Sequence, residues 1–238
     1  MSTRPRATPT AAKAASKSTI KPAPKRAGKQ PAGKPAEDAP YHHGALRDAL
    51  LAAAERVLER DGLEGLTLRA VAREAGVSHA APTHHFGDLT GLVSELAAIG
   101  FRRFNAELAA AGSIDGTASE KAMARAARYV ACARAHPGMY QLMFRGERLD
   151  MTRPALHEAS EAAFAGLAGA VAARLQTPIA RETLTLEQAA EIARAWSMIH
   201  GFTTLLLDGR LTDILHRLPG VDAETLLGAM LKSAMRGA

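Results

Sequence analysis

The sequence predicts an all-α protein of 238 residues, and three observations support this. From residue 41 onward, apolar residues recur at intervals of three and four, as they do along one face of a helix. No run alternates apolar and polar residues in the manner of a β-strand, and clusters of Val, Ile and Thr are absent. Gly and Pro interrupt the pattern at intervals of about one helix length, which indicates about nine consecutive helices.

The first 40 residues differ in composition from the rest of the chain. They hold nine basic and two acidic residues, seven prolines, and one large aliphatic residue after the initial Met, Ile20. Such a segment buries too little apolar surface to offset the entropy of ordering it, so we expect a disordered basic tail over residues 1–40. The tail could add non-specific affinity for nucleic acid, or it could be only a solubilising extension. The other 198 residues carry 21 basic and 22 acidic side chains.

The hydropathy pattern and the number and spacing of reactive residues argue against a membrane-spanning protein, a disulfide or metal-binding protein, and an enzyme. No run of about 18 apolar residues occurs, so no transmembrane helix is expected. The single cysteine, Cys132, allows no internal disulfide and no cysteine-based zinc site. His42-His43 and His84-His85 are adjacent pairs that diverge by about 100° on a helix, so neither a metal nor a cofactor is expected. The chain shows no nucleophile–base or paired-carboxylate arrangement, so the sequence does not predict an enzyme.

Capping residues and helix breakers divide the chain into helices after residue 41. A cap satisfies free backbone N–H groups at a helix start, whereas Gly and Pro end helices. The expected caps are Thr67, Ser78, Asp88, Thr117 (with Glu120 as a capping box), Thr185 (with Gln188) and Asp222, and Pro154 begins a further helix. The expected helix ends lie near Gly62, Gly76, Gly87, His136, Phe144, Pro178 and Gly209.

Residues 67–86 have the spacing of a helix-turn-helix. Such a motif needs two short helices that are joined by a turn of about three or four residues and packed closely. Ala72 is small enough for the close contact, and Gly76 tolerates the positive φ of the turn. Val77 can anchor the turn in the core, and Ser78 can cap a second helix that would enter a DNA major groove. The same spacing also fits an ordinary corner between two packed helices.

Four motifs stand at fixed spacing between residue 41 and about residue 95. They are Tyr41-His42-His43-Gly44-x-Leu46-Arg47-x-x-Leu50-Leu51, Gly62-Leu63-x-x-Leu66-Thr67-Leu68-Arg69-x-Val71-Ala72, Gly76-Val77-Ser78 and His85-Phe86. Together they resemble the N-terminal DNA-binding domain of the TetR/AcrR-family transcriptional regulators.

A looser match follows in the C-terminal part. Its motifs are His136-Pro137-Gly138-Met139-Tyr140, Met143-Phe144 and Trp196-x-x-x-His200-Gly201. They are similar to the ligand-binding domain of a TetR subgroup that carries a Trp–His-Gly helix. The two resemblances imply a helix-turn-helix domain over residues 41–95. They further imply a helical bundle over residues 96–238 that binds an effector and dimerises through its last two helices.

The resemblance implies a set of residues that contact DNA. Residues 41–90 hold five arginines and seven acidic side chains, so local placement rather than net charge must bind the DNA. The starts of the first two helices would contact phosphates, the third helix would contact base edges, and Phe86 would be buried against the first helix. The expected DNA-binding residues are Tyr41, His42, Thr67, Arg69, Ser78, His79, Ala80, Ala81, Thr83 and His84.

Two positions depart from the family's usual pattern. Pro82-Thr83 stands where Leu-Tyr is usual, and a threonine reaches less far toward a phosphate than a tyrosine does. As the fourth helical residue after Ser78, Pro82 is expected to strain the first turn of its helix. Leu89 stands where a lysine usually follows the recognition helix. Both departures remove contacts to the DNA backbone, for which the basic tail could compensate.

A hydrophobic effector pocket is expected between the C-terminal helices. Trp196 and His200 lie one turn apart, where they could share a cavity or hydrogen-bond structurally. Gly201 beside them suggests that another helix approaches closely. Each candidate could instead be an ordinary core residue. The predicted pocket residues are Phe104, Tyr140, Met143, Phe144, Trp196 and His200, with Phe101 and Met139 as further candidates.

The resemblance implies a sequence-specific DNA-binding regulator in the cytoplasm, associated with the nucleoid. A homodimeric repressor would hold a near-palindromic operator with recognition helices roughly 34–36 Å apart. A small hydrophobic effector would release it by favouring another spacing of those helices. The residues identify neither effector nor operator, and they do not distinguish a repressor from an activator. The alternative is a general DNA-packaging or tethering protein that binds through its basic tail.

Overall fold

The structure is a computed structural model that describes residues 41–144 and 146–236. Within these ranges the regular secondary structure is entirely helical, which confirms the predicted fold class. The predicted tail of residues 1–40 lies outside the described residues. Of the helices in the described ranges, none has both the length and the hydropathy that a membrane crossing requires.

Ten α-helices lie within the described residues, one more than the nine predicted. The additional one is the short α9, which follows the glycine that ends α8. The helices are α1 (Tyr41–Gly65), α2 (Leu68–Ala75), α3 (Ala81–Phe86), α4 (Leu89–Gly112), α5 (Ala118–Ala135), α6 (Pro137–Phe144), α7 (Pro154–Leu175), α8 (Leu186–Leu207), α9 (Thr212–His216) and α10 (Ala223–Arg236), with 3₁₀ turns at Gly146–Arg148 and Arg181–Thr183.

Most of the predicted caps are present. The side chain of Thr67 accepts a hydrogen bond from the N–H of Ala70 at 3.1 Å, and Asp88 accepts one from Gly91 at 2.7 Å. Both predicted capping boxes form, at the starts of α5 and α8. Asp222 accepts a hydrogen bond from the Thr225 N–H at 2.8 Å. These starts depend on residues three positions apart, which is why sequence reasoning finds them.

The start of α3 differs from the prediction. Ser78 does not cap it: α3 begins at Ala81, and Ala80 is the N-cap without any side-chain hydrogen bond. A turn precedes the helix, in which the Ala81 N–H donates to the Ser78 carbonyl at 3.1 Å. Pro82 is therefore the second helical residue, where its missing N–H would have no partner in any case. The strain predicted at Pro82 is wrong for this reason, and the ring is fully buried instead.

Leucines from α1, α4 and α6 form the centre of the core. Leu50, Leu58, Leu92, Leu96 and Leu142 have no exposed side-chain surface. Each such burial stabilises the fold by about 1.5–3 kcal/mol. The same buried cluster continues to α7 and α10, so the first helices and the C-terminal helices share one core.

Helix α4 connects the two predicted parts of the chain. It packs against α1 and α3 and also against α5, α6 and α7. The predicted boundary between residues 95 and 96 falls inside this continuous helix of 24 residues. A displacement of α4 would therefore shift the packing of both parts, because both pack on this one rigid helix.

Candidate functional site

Helices α2 and α3 form the predicted helix-turn-helix. Gly76 has φ 68° and ψ 31°, the left-handed conformation that glycine adopts without steric cost. The N–H of Val77 closes the end of α2 by donating to the Ala72 carbonyl at 3.0 Å. Ala72 is fully buried, and Val77 packs on the core. The roles predicted for Gly76 and Val77 are confirmed, and Ala72 is buried as its predicted role requires.

The turn before α3 and the outer face of α3 form an exposed ridge. Ser78, His79, Ala80, Thr83 and His84 are exposed, whereas Ala81 is half-buried. Thr67 and Arg69, at the start of α2, are also exposed. The structure thus presents the residues expected to touch DNA to solvent. The side chains of Tyr41 and His42 lie outside the description.

Phe86 anchors the opposite side of α3. Its side chain is only 3% exposed, which confirms the predicted burial. The guanidinium carbon of Arg47 in α1 lies 5.4 Å from the centre of the phenyl ring, a cation–π arrangement. Arg47 also forms an ion pair with Glu95 of α4 at 2.7 Å. Helix α3 is therefore held against α1 and α4 by its last residue.

Ion pairs within the chain engage several arginines of the first helices. Arg56 and Arg60 of α1 both bind Glu74 of α2, at 2.7 and 2.9 Å. These two hydrogen bonds hold the pKa of the Glu74 carboxyl below its ordinary value. Arg47 is paired with Glu95, so three of the five arginines in residues 41–90 form ion pairs between helices of the fold. Arg69 is the arginine that the prediction assigned to DNA, and it is exposed beside the Thr67 cap.

The residues predicted to line the effector pocket meet in an aromatic cluster between α4, α6 and α8. The ring of Phe144 lies 4.7 Å from that of His200 and 5.0 Å from that of Tyr140, between ring centres. Phe104 and Phe144 are 6.5 Å apart, and Trp196 lies 6.2 Å from His200 at the outer edge. The structure brings five of the six predicted pocket residues into ring contact. The sixth, Met143, is buried beside Gly100 of α4.

Tyr129 of α5 belongs to this cluster, and the sequence prediction missed it. Its hydroxyl lies 3.0 Å from Nδ1 of His200, and the hydroxyl of Tyr140 lies 2.8 Å from the same nitrogen. A neutral imidazole nitrogen has one hydrogen or one lone pair, so it makes only one strong hydrogen bond at a time. Tyr129 is an aromatic residue on the buried face of α5 with Val130 and Ala133, which is the signal that could have identified it.

Burial favours the uncharged forms of the three polar groups of the cluster. It raises the pKa of the Tyr129 and Tyr140 hydroxyls and lowers the pKa of the His200 imidazole, because each charged form loses hydration. The cluster is therefore an apolar environment with a few neutral hydrogen-bonding atoms. Such an environment suits a largely hydrophobic molecule.

The surroundings of the cluster differ from the prediction in one respect. A Cβ placed on Gly201 would have no atom within 4 Å, so no helix of the described chain approaches it closely. The expectation of a close helix contact within the chain is wrong at this position. Trp196, one turn before His200, is 46% exposed. Two surface grooves of about 450 and 240 Å³ lie away from the cluster, beside Ala165 of α7 and beside Leu66.

Two family models match the chain. Residues 50–96 match the model described as bacterial regulatory proteins, tetR family. Residues 121–233 match the model described as Tetracyclin repressor-like, C-terminal domain. Together the two models span the helix-turn-helix and most of the C-terminal helices. Comparison with curated proteins gives no match.

Several solved structures are similar to the chain. A protein with unknown function from Rhodococcus sp. RHA1 is 35% identical, with 84% of this chain and 98% of that chain covered and a TM-score of 0.66. PfmR, a TetR family transcriptional regulator from Thermus thermophilus, is 16% identical, with 79% and 97% covered and a TM-score of 0.55. The transcriptional regulator FadR from Bacillus subtilis, in complex with stearoyl-CoA, is 16% identical, with 78% and 95% covered and a TM-score of 0.57. The last two show a likeness of fold.

Proposed function

The chain belongs to the TetR family of transcriptional regulators, and from this premise we propose that it is a homodimeric repressor whose DNA affinity a small hydrophobic effector lowers. The observation that carries the proposal is the exposed ridge of Ser78, His79, Ala80, Thr83 and His84, on and just before a helix whose other side is anchored by Phe86. A helix fixed in this way can enter a major groove without losing its place in the core. In this proposal residues 41–95 bind DNA, and residues 96–238 bind the effector and the second copy.

The predicted DNA-binding residues would make two kinds of contact, some with base edges and some with phosphates. Histidine side chains such as His79 and His84 can donate hydrogen bonds to guanine O6 and N7, and the methyl groups of Ala80, Ala81 and Thr83 can contact thymine methyls. Thr67, Arg69 and Ser78 would bind phosphates, and Tyr41 and His42 would do so by resemblance. The contacts to bases would supply sequence preference, and the contacts to phosphates would fix the register of the protein.

An exposed face of α8 supports a second copy as partner. Leu186 is 81% exposed, a large apolar surface to leave in water. Four small residues follow it at helical spacing on the same face, and Gly201 leaves open space beside it. A second α8 could approach closely there, with further contacts from α10, as the resemblance implies. The face consists of Leu186, Ala190, Ala193, Ser197 and Gly201.

The aromatic cluster would bind the effector. The hydroxyls of Tyr129 and Tyr140 compete for the same Nδ1 of His200, so one of the two hydroxyls can bind a polar atom of a ligand instead. The surrounding Phe104 and Phe144 rings and the Met143 thioether would adapt to a hydrophobic body. Release from DNA requires that the effector bind the DNA-free state more tightly than the DNA-bound state.

Selection of bound sequences from random DNA tests the proposal. We expect enrichment of a near-palindrome whose half-sites lie about one helical turn, or a multiple of it, apart. The variant with His79→Ala and His84→Ala should lose sequence preference, at about 1–3 kcal/mol for each good base contact. His157→Ala, an exposed histidine on α7, is the matched control and should bind like the unaltered chain. Failure to enrich any sequence would contradict the proposal.

Effector release is tested on the enriched DNA. Stearoyl-CoA, a free long-chain fatty acid and a planar aromatic compound serve as probes of different shape. A compound that lowers DNA affinity for the unaltered chain, but not for a His200→Phe or Tyr140→Phe variant, would support the cluster as its site. A compound that releases both alike would place the effector site elsewhere.

The basic tail favours a second candidate, a general DNA-packaging or tethering protein. Residues 1–40 carry a net charge of +7, while the remainder carries −1. Removal of residues 1–38 distinguishes the two. A regulator keeps sequence-specific binding and shows a shallower dependence of affinity on salt, whereas a packaging protein loses nearly all binding.

A further inference from the structure

The connection between α6 and α7 contacts the DNA-binding part of the chain. We call residues 147–153 the connector. Arg148 donates to the Leu63 carbonyl at 3.3 Å and pairs with Glu64 at 2.6 Å, both at the end of α1. The backbone N–H of Asp150 donates to the buried hydroxyl of Ser94 in α4 at 2.8 Å. The connector thus joins the C-terminal helices to the first helices by specific polar contacts.

Arg153 makes the contact that reaches the recognition helix. It is the N-cap of α7, and its Nη2 donates to the carbonyl oxygen of Phe86 at 3.2 Å. Phe86 is the last residue of α3, and a carbonyl there has no partner within its own helix. The guanidinium also lies 3.8 Å from Glu95 and 3.7 Å from Asp150. The side chain of the N-cap residue of α7 therefore supplies a hydrogen-bond donor to the last carbonyl of α3.

The space for this contact depends on Gly91 in α4. A Cβ on Gly91 would overlap the Phe86 carbonyl oxygen and would lie 2.5 Å from Nη2 of Arg153. Both groups approach the α4 backbone as closely as they do only because residue 91 has no side chain. The end of α3 and the start of α7 thus pack in direct contact with α4 at Gly91.

Glu95 links the contacts on the two sides of Phe86. Its carboxylate pairs with Arg47, which covers the phenyl ring, and faces Arg153, which binds the carbonyl. The last residue of the recognition helix is held through its ring by α1 and through its backbone by α7. A residue held at both its ring and its carbonyl cannot rotate freely, so the two contacts together fix the direction of α3.

We propose that Arg153 is a positioning residue for DNA recognition: it orients α3 by binding the Phe86 carbonyl from the start of α7, without touching DNA itself. The inference rests on the proposed DNA binding. It predicts that the loss of Arg153 changes operator affinity without changing the number of phosphate contacts. It also predicts a looser last turn of α3 in the absence of DNA.

The test compares four full-length variants. Arg153→Met keeps the aliphatic stem but removes every donor, and Arg153→Lys can bind Phe86 or Glu95 but cannot span both as a guanidinium does. Arg128→Met is the matched control, because Arg128 of α5 forms an exposed ion pair with Glu107 of α4. Arg69→Met removes an arginine that is proposed to bind phosphate.

The first measurement is affinity for the enriched DNA over a range of salt. Arg153→Met should bind about tenfold more weakly or worse, as expected for a lost hydrogen bond to a charged group, and Arg153→Lys should lie between it and the unaltered chain. The slope of log affinity against log salt should stay unchanged for Arg153→Met, and the magnitude of this slope should decrease by about one for Arg69→Met. Affinity within twofold of the unaltered chain, or a slope reduced like that of Arg69→Met, would overturn the inference.

The second measurement needs no DNA, so it tests whether Arg153 orders the end of α3 separately from the proposed function. Amide hydrogen exchange is followed at Gly87, whose N–H donates to the Thr83 carbonyl at 2.9 Å in the last turn of α3. Exchange there should be at least tenfold faster in Arg153→Met than in the unaltered chain, with Arg128→Met unchanged. Equal exchange in all three proteins would overturn the inference. Faster exchange throughout the chain would indicate a general loss of stability and would also overturn it.

Discussion

The substitution Gly91→Ala reverses the effect that alanine usually has in a helix. Gly91 is the third residue of α4, in a helical conformation with negative φ. In such a position alanine is more favourable than glycine by up to about 1 kcal/mol, because glycine loses more backbone entropy on folding. At residue 91 the new methyl group would overlap the Phe86 carbonyl oxygen, a backbone atom that cannot rotate away.

The magnitude follows from the distances around the site. The methyl carbon would also lie 2.5 Å from Nη2 of Arg153, whereas real Cβ atoms keep at least 3.0 Å from other heavy atoms. Arg153 can rotate away, at the loss of its hydrogen bond, but Phe86 can yield only if α3 shifts on α4. Overpacking of this kind costs about 1–3 kcal/mol. After the gain in helix propensity is subtracted, we expect a net loss of about 1–2 kcal/mol in the free energy of unfolding.

The assay is urea unfolding at a fixed protein concentration, with the midpoints compared at a common m-value. Gly166→Ala in α7 is the matched control, because a Cβ there would have no atom within 4 Å. It should raise stability by about 0.5–1 kcal/mol. Affinity for the enriched DNA should fall for Gly91→Ala only. If Gly91→Ala stabilises the protein as much as Gly166→Ala does, the close approach of Phe86 to α4 is refuted.

Three further predictions concern separate elements. Phe86→Ala should lower the free energy of unfolding by about 3–5 kcal/mol, measured in urea, because the ring is buried; a loss below about 1 kcal/mol would contradict that burial. Thr117→Ala removes the cap of α5 and should cost about 1 kcal/mol, while the exposed neighbour Ser119→Ala should cost much less. His200 has a pKa below its ordinary 6.5 through burial, so the unfolded chain binds its proton first as pH falls. The stability that neutral His200 contributes is present above about pH 6.5 and is lost below it, and His200→Gln should flatten the profile of unfolding midpoint against pH in that range. An unchanged profile would show that His200 is not the group responsible.

The fold class and most helix boundaries are determined by the sequence alone. Thr117 with Glu120, and Thr185 with Gln188, satisfy one another's backbone groups within one turn of a helix. Gly76 ends α2 because the turn needs a positive φ. Such interactions join residues three or four positions apart, so they form whatever the rest of the chain does. The burial of Phe86 against α1 was an expectation from the family resemblance rather than from a local pattern, and the structure confirms it.

Only the tertiary structure decided where α3 begins, which side chains meet in the aromatic cluster, and which carbonyl Arg153 binds. Ser78 has the chemistry of a cap, but Ala80 is the N-cap and the helix begins at Ala81, two residues later than a Ser78 cap would place it, with Pro82 buried. Tyr129 and His200 stand 71 residues apart, and Arg153 and Phe86 stand 67 apart, yet each pair is within hydrogen-bond distance. The mutual packing of whole helices brings such residues together, and that packing depends on the summed fit of many side chains rather than on any local pattern.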